Sequence, residues 1–336
     1  MKTFRDWEQK QQHAFKENWA EFSDKVRGSV ASPLSSRSSC LPEDCALENL
    51  FPPIRDAAIE YFREFGIEWQ GGSDDRPSPD LCASQVCCVN FLFPLSLHPE
   101  ALARILKKMY PDLRRMLPME EAGHYMAFEW IGNRNYLHET LGVTRKRTRG
   151  AQYTGADAAV LFDRNDSKRQ LVLIEWTYTE AHDCSALRNP KKRPSRSKIY
   201  GSLLNRSGCP IKSEKLPNIN HLFHEPFDEM MRIQLLCREM EHANEFGADT
   251  VSVLHVTPSL NTEFQRIIGR DLRKLGSTTT EVWKNLMVSP DRYQAVHTED
   301  LFGNLNPGEL PGLENWVRYI SERYPWVNAE SISIAS

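Results

Sequence analysis

The sequence predicts a mixed α/β protein that begins with a helical region. Residues 1–120 show mainly the spacing of amphipathic helices, whereas apolar strand-like segments appear after about position 120. Two of these segments, 156–162 and 171–178, flank the polar turn 163–167 and predict an antiparallel hairpin. Strands interleaved with helices indicate a mixed sheet. We therefore divide the chain into a helical N-terminal region over 1–120 and an α/β domain over 121–336.

The composition is that of a globular protein. Of the 336 residues, 40% are hydrophobic and 26% are charged. The formal net charge of -3 excludes a protein that coats nucleic acid with a uniformly basic surface, but it does not exclude a local basic face. Charges near the N-terminus argue against a secretory signal, and no apolar run reaches the ~18 residues of a membrane span. The eight cysteines show no CxxC spacing, so neither a disulfide frame nor a zinc ribbon is expected. We expect a cytoplasmic protein with no membrane association.

The N-terminal region is predicted from periodicity. Apolar residues between Phe4 and Val26 recur at helical steps and predict one amphipathic helix. Further helices are predicted over 47–65, with Pro52 and Pro53 near its start, and over 98–109. The nearly apolar segment 83–93 is assigned to no element, and the Ser- and Pro-rich segments 29–42 and 71–79 are interpreted as loops.

The second region is predicted to alternate strands and helices. Strands are expected over 124–131, 156–162, 171–178, 250–256 and 292–297. Helices are expected over 225–244 and 313–324, and a further one from its cap at Asn261 to about 275.

The hairpin carries the residues with the clearest chemistry. Asp157 begins its first strand, and Glu175 lies late in the apolar second strand, where a carboxylate is unfavourable unless it is paired or binds a cation. A symmetric turn places Asp157 opposite about position 173, within two residues of Glu175. Alternation places Glu175 and Thr177 on one face. Two converging carboxylates form an oxygen-rich site for Mg²⁺ or Mn²⁺, although a structural ion pair, for example with Arg149, is the alternative.

This hairpin resembles the PD-(D/E)XK restriction-endonuclease-like superfamily. The matching residues are Gly155-Ala156-Asp157 and Ile174-Glu175-Trp176-Thr177, and the order of elements is similar to that superfamily's αβββαβ core. The segment from Arg149-Gly150 to Glu180 looks closer to one group of bacterial restriction-endonuclease-like proteins. Ser84-Gln85, Asn90 and, downstream, Val256-Thr257-Pro258 with Asn261 also resemble that group.

The resemblance implies a metal-dependent endonuclease that hydrolyses DNA in restriction or another defence against foreign DNA. Asp157 and Glu175 would hold Mg²⁺ or Mn²⁺, with the backbone carbonyl of Trp176 and a third acid. Glu129 is the candidate for that acid, Glu139 is a weaker choice, and Glu180 and Gln234 are interpreted as surface residues. Enzymes of this type often dimerise, so a homodimer is left open, as is RNA as the substrate.

Thr177 departs from the family pattern, which has Lys at this position. A threonine hydroxyl donates a hydrogen bond but carries no charge. The Lys could have moved, with Lys198, Lys192 or Lys191 as candidates. The chain could instead be an impaired nuclease that acts as a nucleic-acid-binding module, or a disabled variant of an active parent.

Two basic segments flank the hairpin. The first contains Arg145, Lys146, Arg147 and Arg149, and the second contains Lys191, Lys192, Arg193 and Arg196. Such residues are suited to contacting a phosphate backbone, although solvated loops are the simpler interpretation of any charge run. Pro190 and Pro194 predict an irregular loop that orders on binding.

Overall fold

The structure is a computed structural model. It describes residues 3–29, 38–73, 75–139, 147–150, 153–181, 193–216, 218–267 and 270–328, with backbone only over 193–197.

A six-stranded mixed sheet forms the centre of the molecule. Its strands are β1 (Leu113–Leu117), β2 (Met126–Trp130), β3 (Ala156–Arg164), β4 (Arg169–Trp176), β5 (Thr250–Thr257) and β6 (Tyr293–His297). The order is β1-β3-β4-β5-β6, and β2 pairs with the first half of β3. The β3 strand runs antiparallel to its neighbours, whereas β4, β5 and β6 are mutually parallel. The predicted hairpin and mixed α/β class are therefore confirmed.

Helices cover both faces of the sheet. The first five are α1 (Phe4–Asn18), α2 (Asp24–Arg27), α3 (Arg55–Glu64), α4 (Ser84–Leu92) and α5 (Pro99–Leu106). The later ones are α6 (Arg193–Leu204), α7 (Phe227–His242), α8 (Thr262–Gln265), α9 (Thr279–Leu286), α10 (Thr298–Phe302) and α11 (Glu314–Arg323).

Alternation along the strands assigns side chains to two hydrophobic cores. On one face Val172 and Ile174 belong to a core that extends from Phe4 to Val327 and joins the N-terminal helices to α11. On the other face Leu171 and Leu173 pack in a core with α7 and α9. Residues 1–120 thus share a core with the sheet, and they also contribute β1.

Several local predictions are wrong for identifiable reasons. The first predicted helix ends at Asn18, and α2 begins separately after its cap Ser23. The helix predicted over 47–65 becomes two short 3₁₀ segments followed by α3, because Pro52 and Pro53 lack the N–H groups that an α-helix needs. The helix predicted from Asn261 is the single turn α8.

The second basic segment is not irregular from Arg193 onward. Residues Arg193–Leu204 form α6, and Pro194 lies in its first turn, where a missing N–H is tolerated. Pro190 lies outside the described residues.

Within the described residues, no single helix has the length and apolar composition needed to cross a bilayer. One pair of segments bent by 118°, Ser84–Leu95 and Pro99–Leu106, reaches that length and composition together.

Candidate active site

A pocket of about 480 Å³ lies where β2, β3 and β4 meet the start of α7. Three strand carboxylates line it, together with residues from α7 and the loops around it. The lining residues from β2, β3 and β4 are Glu129, Asp157, Glu175 and Trp176, and Thr177 follows β4 directly.

Asp157 and Glu175 are brought together by strand register. Ala158 pairs with Ile174, and continuing this register by one residue places Asp157 opposite Glu175. The backbone N–H of Trp176 donates to Asp157 Oδ2 at 2.6 Å, which fixes that carboxylate toward β4. Glu175 is only 6% exposed, and its Oε1 has no hydrogen-bond partner among the described residues. One buried carboxylate oxygen is thus left for a ligand.

Glu129 reaches the same pocket through an unusual backbone conformation. Its φ of 48° lies in the left-handed region, which non-glycine residues seldom adopt within a strand. The side chain accepts hydrogen bonds from Gln85 Nε2 at 2.6 Å and Gln70 Nε2 at 3.3 Å. Burial raises the pKa of Glu129 to about 7 despite the opposing hydrogen bond from Gln85.

The three strand carboxylates destabilise one another's ionised forms. Burial, followed by repulsion from Glu129, raises the pKa of Asp157 well above its usual range. Burial and the neighbouring Asp157 do the same for the pKa of Glu175. Exposed carboxylates of Glu180, Glu225 and Glu229 also line the pocket. A bound cation would relieve this repulsion.

Thr177 lines the pocket directly after β4 and is part of a hydrogen-bonded chain. Its hydroxyl lies 2.7 Å from His255 Nε2, and His255 Nδ1 lies 2.8 Å from the Tyr293 hydroxyl. All three residues are buried. His255 lies on β5, which pairs with β4, and Tyr293 lies on β6, which pairs with β5. The threonine hydroxyl is therefore held in a fixed orientation at the pocket wall.

Arg232 on α7 is the one basic residue among the described residues that line the pocket. Its Nε contacts Asp228 Oδ2 at 3.1 Å and its Nη1 contacts Thr154 Oγ1 at 3.2 Å. Its positive charge opposes the rise in the pKa of Glu175. These two contacts hold the guanidinium group in place, and the side chain, which is 21% exposed, remains accessible from the pocket.

The predicted basic residues are placed differently. Lys198 is exposed on α6 and does not line the pocket as far as the structure describes it. Arg149 forms an ion pair with Glu120 at 2.7 Å and stacks on Trp130, so its charge is already engaged within the protein rather than paired with Asp157 or Glu175. Arg147 is half-buried and donates to the carbonyl of Gly132 at 2.7 Å.

The remaining basic candidates belong to the two segments that flank the hairpin. Arg145, Lys146, Lys191 and Lys192 lie outside the described residues, as do the side chains of Arg193 and Arg196.

Glu139 and Glu180, which were also considered from the sequence, have hydrogen-bond partners within the protein. Glu139 accepts hydrogen bonds from the Thr154 backbone at 2.9 Å and from the Tyr200 hydroxyl, which is a structural arrangement. The interpretation of Gln234 as a surface residue is wrong, because it is buried on the side of α7 that packs in the core; it is not among the described lining residues, and its Oε1 has no hydrogen-bond partner among the described residues. Glu180 is exposed, and its carboxylate accepts the N–H of Tyr178 at 2.7 Å.

Two sequence motifs distant from the hairpin meet it in space. Ser84 Oγ donates to the carbonyl of Trp176 at 2.8 Å, which leaves a second lone pair on that oxygen. Asn261 Nδ2 donates to the carbonyls of Tyr178 and Glu180 at 3.0 and 2.9 Å and thereby holds the chain that leaves β4.

The donor set fits an open site for a hard divalent cation. Among the described side chains, no three His, Cys, Asp or Glu residues stand close enough together to hold a metal ion. Two adjacent carboxylates, one with an unpartnered oxygen, match the usual Mg²⁺ arrangement, in which protein carboxylates supply a few ligands and water completes the shell.

The fold and the pocket define an α/β protein with an acidic site at one edge of a mixed sheet. Residues 7–325 match the family model described as Restriction Endonuclease associating with ARP, so the chain belongs to this family of restriction-endonuclease-like nucleases. Among curated proteins and among solved structures, none matches the chain significantly.

Proposed function

We propose that the chain is a metal-dependent endonuclease of the PD-(D/E)XK type that hydrolyses DNA in defence against foreign DNA. The observation that carries the proposal is the adjacent pair Asp157 and Glu175, with the unpartnered Glu175 Oε1 at the wall of an acidic pocket. Membership of the restriction-endonuclease family supports the same conclusion.

Asp157 and Glu175 would hold Mg²⁺ or Mn²⁺, with the Trp176 carbonyl and Glu129 contributing directly or through water. The ion would supply positive charge that neutralises a phosphate and lowers the pKa of water. Without such a cation, a pocket this rich in carboxylates would repel the substrate.

The chain's own residues supply the remaining functions. Arg232 can donate charged hydrogen bonds to a phosphate oxygen from α7, a role that the neutral Thr177 cannot fill. The Thr177 hydroxyl, held by His255, can orient a water molecule through one hydrogen bond. We therefore assign the cationic role to Arg232 rather than to the exposed Lys198.

The test is cleavage of supercoiled plasmid with Mg²⁺ or Mn²⁺. Nicking or linearisation is expected from the unaltered chain and should be lost in Asp157→Asn and in Glu175→Gln. Asp166→Asn is the matched control, since Asp166 is an exposed carboxylate at the turn of the same hairpin. Equal cleavage by all four proteins would refute the proposal, and a parallel RNA substrate distinguishes DNA from RNA.

Thr177 favours a second candidate, a nuclease-fold protein that binds nucleic acid without cutting it. In that case salt-sensitive binding is expected without cleavage under either metal. Thr177→Lys separates the two: newly gained cleavage indicates an impaired nuclease, whereas an already active chain that gains nothing uses another cation.

A further inference from the structure

A basic groove of about 660 Å³ lies between α8 and α9, outside the acidic pocket. Arg266, Arg273 and Lys274 line it. Neither flanking basic segment of the hairpin contributes to it among the described lining residues. A β-bridge between Arg266 and Thr278 joins the residue that follows α8 to the N-cap of α9.

The cations of this groove are available for a ligand. All three are exposed, and Arg266 forms no ion pair with any residue that the structure describes. Arg273 makes only a 3.4 Å contact with the carbonyl of Ile267. Lys274 pairs with Asp271 at 3.0 Å, but with 70% and 51% exposure such a surface pair is weak.

Glu281 is the one acid among the described residues that line the groove, and it has hydrogen-bond partners of its own. Glu281 accepts hydrogen bonds from the backbone and hydroxyl of Ser277, and these interactions hold the pKa of Glu281 below its usual range. Glu281 thus stays negatively charged, but the three cations outnumber it and give the groove an excess of positive charge, to which the exposed neighbour Arg270 adds.

The groove and the acidic pocket are lined by neighbouring residues of one chain segment. Phe264 lines the pocket and packs edge-on against His255, with ring centroids 4.9 Å apart, and Arg266 lies two residues further along the chain. Two residues span at most about 7 Å between Cα atoms, so a nucleic-acid strand that extends from the pocket over this segment would pass Arg266.

The chemistry of the groove favours a phosphate backbone over an acidic protein. Protein interfaces depend on large apolar or aromatic anchors. Among the described lining residues, Ile267 is only 4% exposed, Leu275 is partly buried against the core, and none is aromatic. Separated cations without an aromatic anchor are typical of sequence-independent phosphate contacts.

We propose that Arg266, Arg273 and Lys274 form a phosphate-binding surface that holds the nucleic-acid backbone beside the acidic pocket. The inference rests on the proposed function, because it takes the pocket's substrate to be a nucleic acid. Its ligand is the sugar-phosphate backbone, with no preference for base sequence.

The test measures binding of a short fluorescent duplex by anisotropy over a salt series, in EDTA, so that no cleavage is needed. The variant is R266A/R273A/K274A, and the matched control K10A/K107A/R318A removes the same charge from exposed positions elsewhere. Thermal melting verifies folding, and R266K/R273K should retain binding.

The triple variant should bind the duplex at least tenfold more weakly. The slope of the logarithm of the association constant against the logarithm of the salt concentration should fall in magnitude by about 2 to 3, since each lost phosphate contact accounts for about 0.9. The control should change neither value.

Unchanged binding by the triple variant overturns this surface alone. No binding by the unaltered chain, or tighter binding of polyglutamate than of duplex, overturns the surface and the nucleic-acid assignment together. Binding that depends on the groove without metal-dependent cleavage supports the surface and refutes only the nuclease.

Discussion

The carboxylate of Asp157 accepts the backbone N–H of Trp176, with 2.6 Å between Oδ2 and N. This bond directs Asp157 across the hairpin toward the residue that follows Glu175. The second oxygen of Asp157 takes no part in this bond. The neighbouring Glu175 is buried, and its Oε1 has no hydrogen-bond partner among the described residues. The backbone itself therefore assembles the carboxylate pair.

Metal-free protein should lose stability as the pH rises. The pKa of Glu129 is about 7 against an ordinary 4.5, so folding favours its protonated form. The stabilisation is complete below the ordinary pKa and is lost as the pH passes through about 7. Mg²⁺ should raise the melting temperature more at about pH 8 than at about pH 5, because it binds ionised carboxylates.

Buried Glu8, whose pKa burial raises to about 7, contributes to the same pH trend, although it is not among the described residues that line the pocket. The double variant Asp157→Asn with Glu175→Gln is therefore the control. In this variant Mg²⁺ should no longer raise the melting temperature. The loss of stability with rising pH that is due to Glu8 should remain. A Mg²⁺ shift of the same size in this variant would contradict the proposed site.

Arg232→Ala should reduce cleavage by about 10²–10³-fold, the usual loss when a charged donor is removed from a transition state. Arg232→Lys keeps the charge and should retain part of the rate. Arg238→Ala is the control on the same helix, since Arg238 contacts the Gly208 carbonyl at 2.6 Å. Rates are compared at equal folded fractions, because Arg232 also pairs with buried Asp228. A rate for Arg232→Ala that matches Arg238→Ala would exclude the catalytic role.

Arg323→Met should lower the free energy of unfolding by about 3–5 kcal/mol, as expected when a buried charge network loses its central member. The guanidinium of Arg323 is fully buried and donates to Gln12 Oε1 at 3.2 Å and to the Asn49 carbonyl at 2.6 Å. It thereby joins α11 to the N-terminal region. Urea unfolding should remain one transition. Two separate transitions would indicate that residues 1–120 fold independently.

The hairpin could be predicted because its information is local. Apolar residues around Glu175 and a polar turn indicate the strands, and symmetric pairing then places Asp157 close to Glu175. The register differs by two residues from a symmetric turn, which brings the two acids directly opposite rather than diagonal.

Other parts of the site depend on contacts that the sequence does not encode locally. Thr177 and His255 are 78 residues apart and meet through parallel pairing, whose register leaves no turn signal. Arg232 lies on a helix that the sequence predicts, but which side of that helix faces the pocket depends on packing. The sequence did not indicate Arg266 as a binding residue. It predicts a helix from Asn261 to about residue 275, but α8 ends after one turn, just before Arg266.

The most direct test of the central claim is Mn²⁺ binding measured by electron paramagnetic resonance. We predict saturable binding by the unaltered chain and by the Asp166→Asn control, and loss of that binding when Asp157→Asn and Glu175→Gln are combined. Undiminished Mn²⁺ binding by the combined variant would contradict the account.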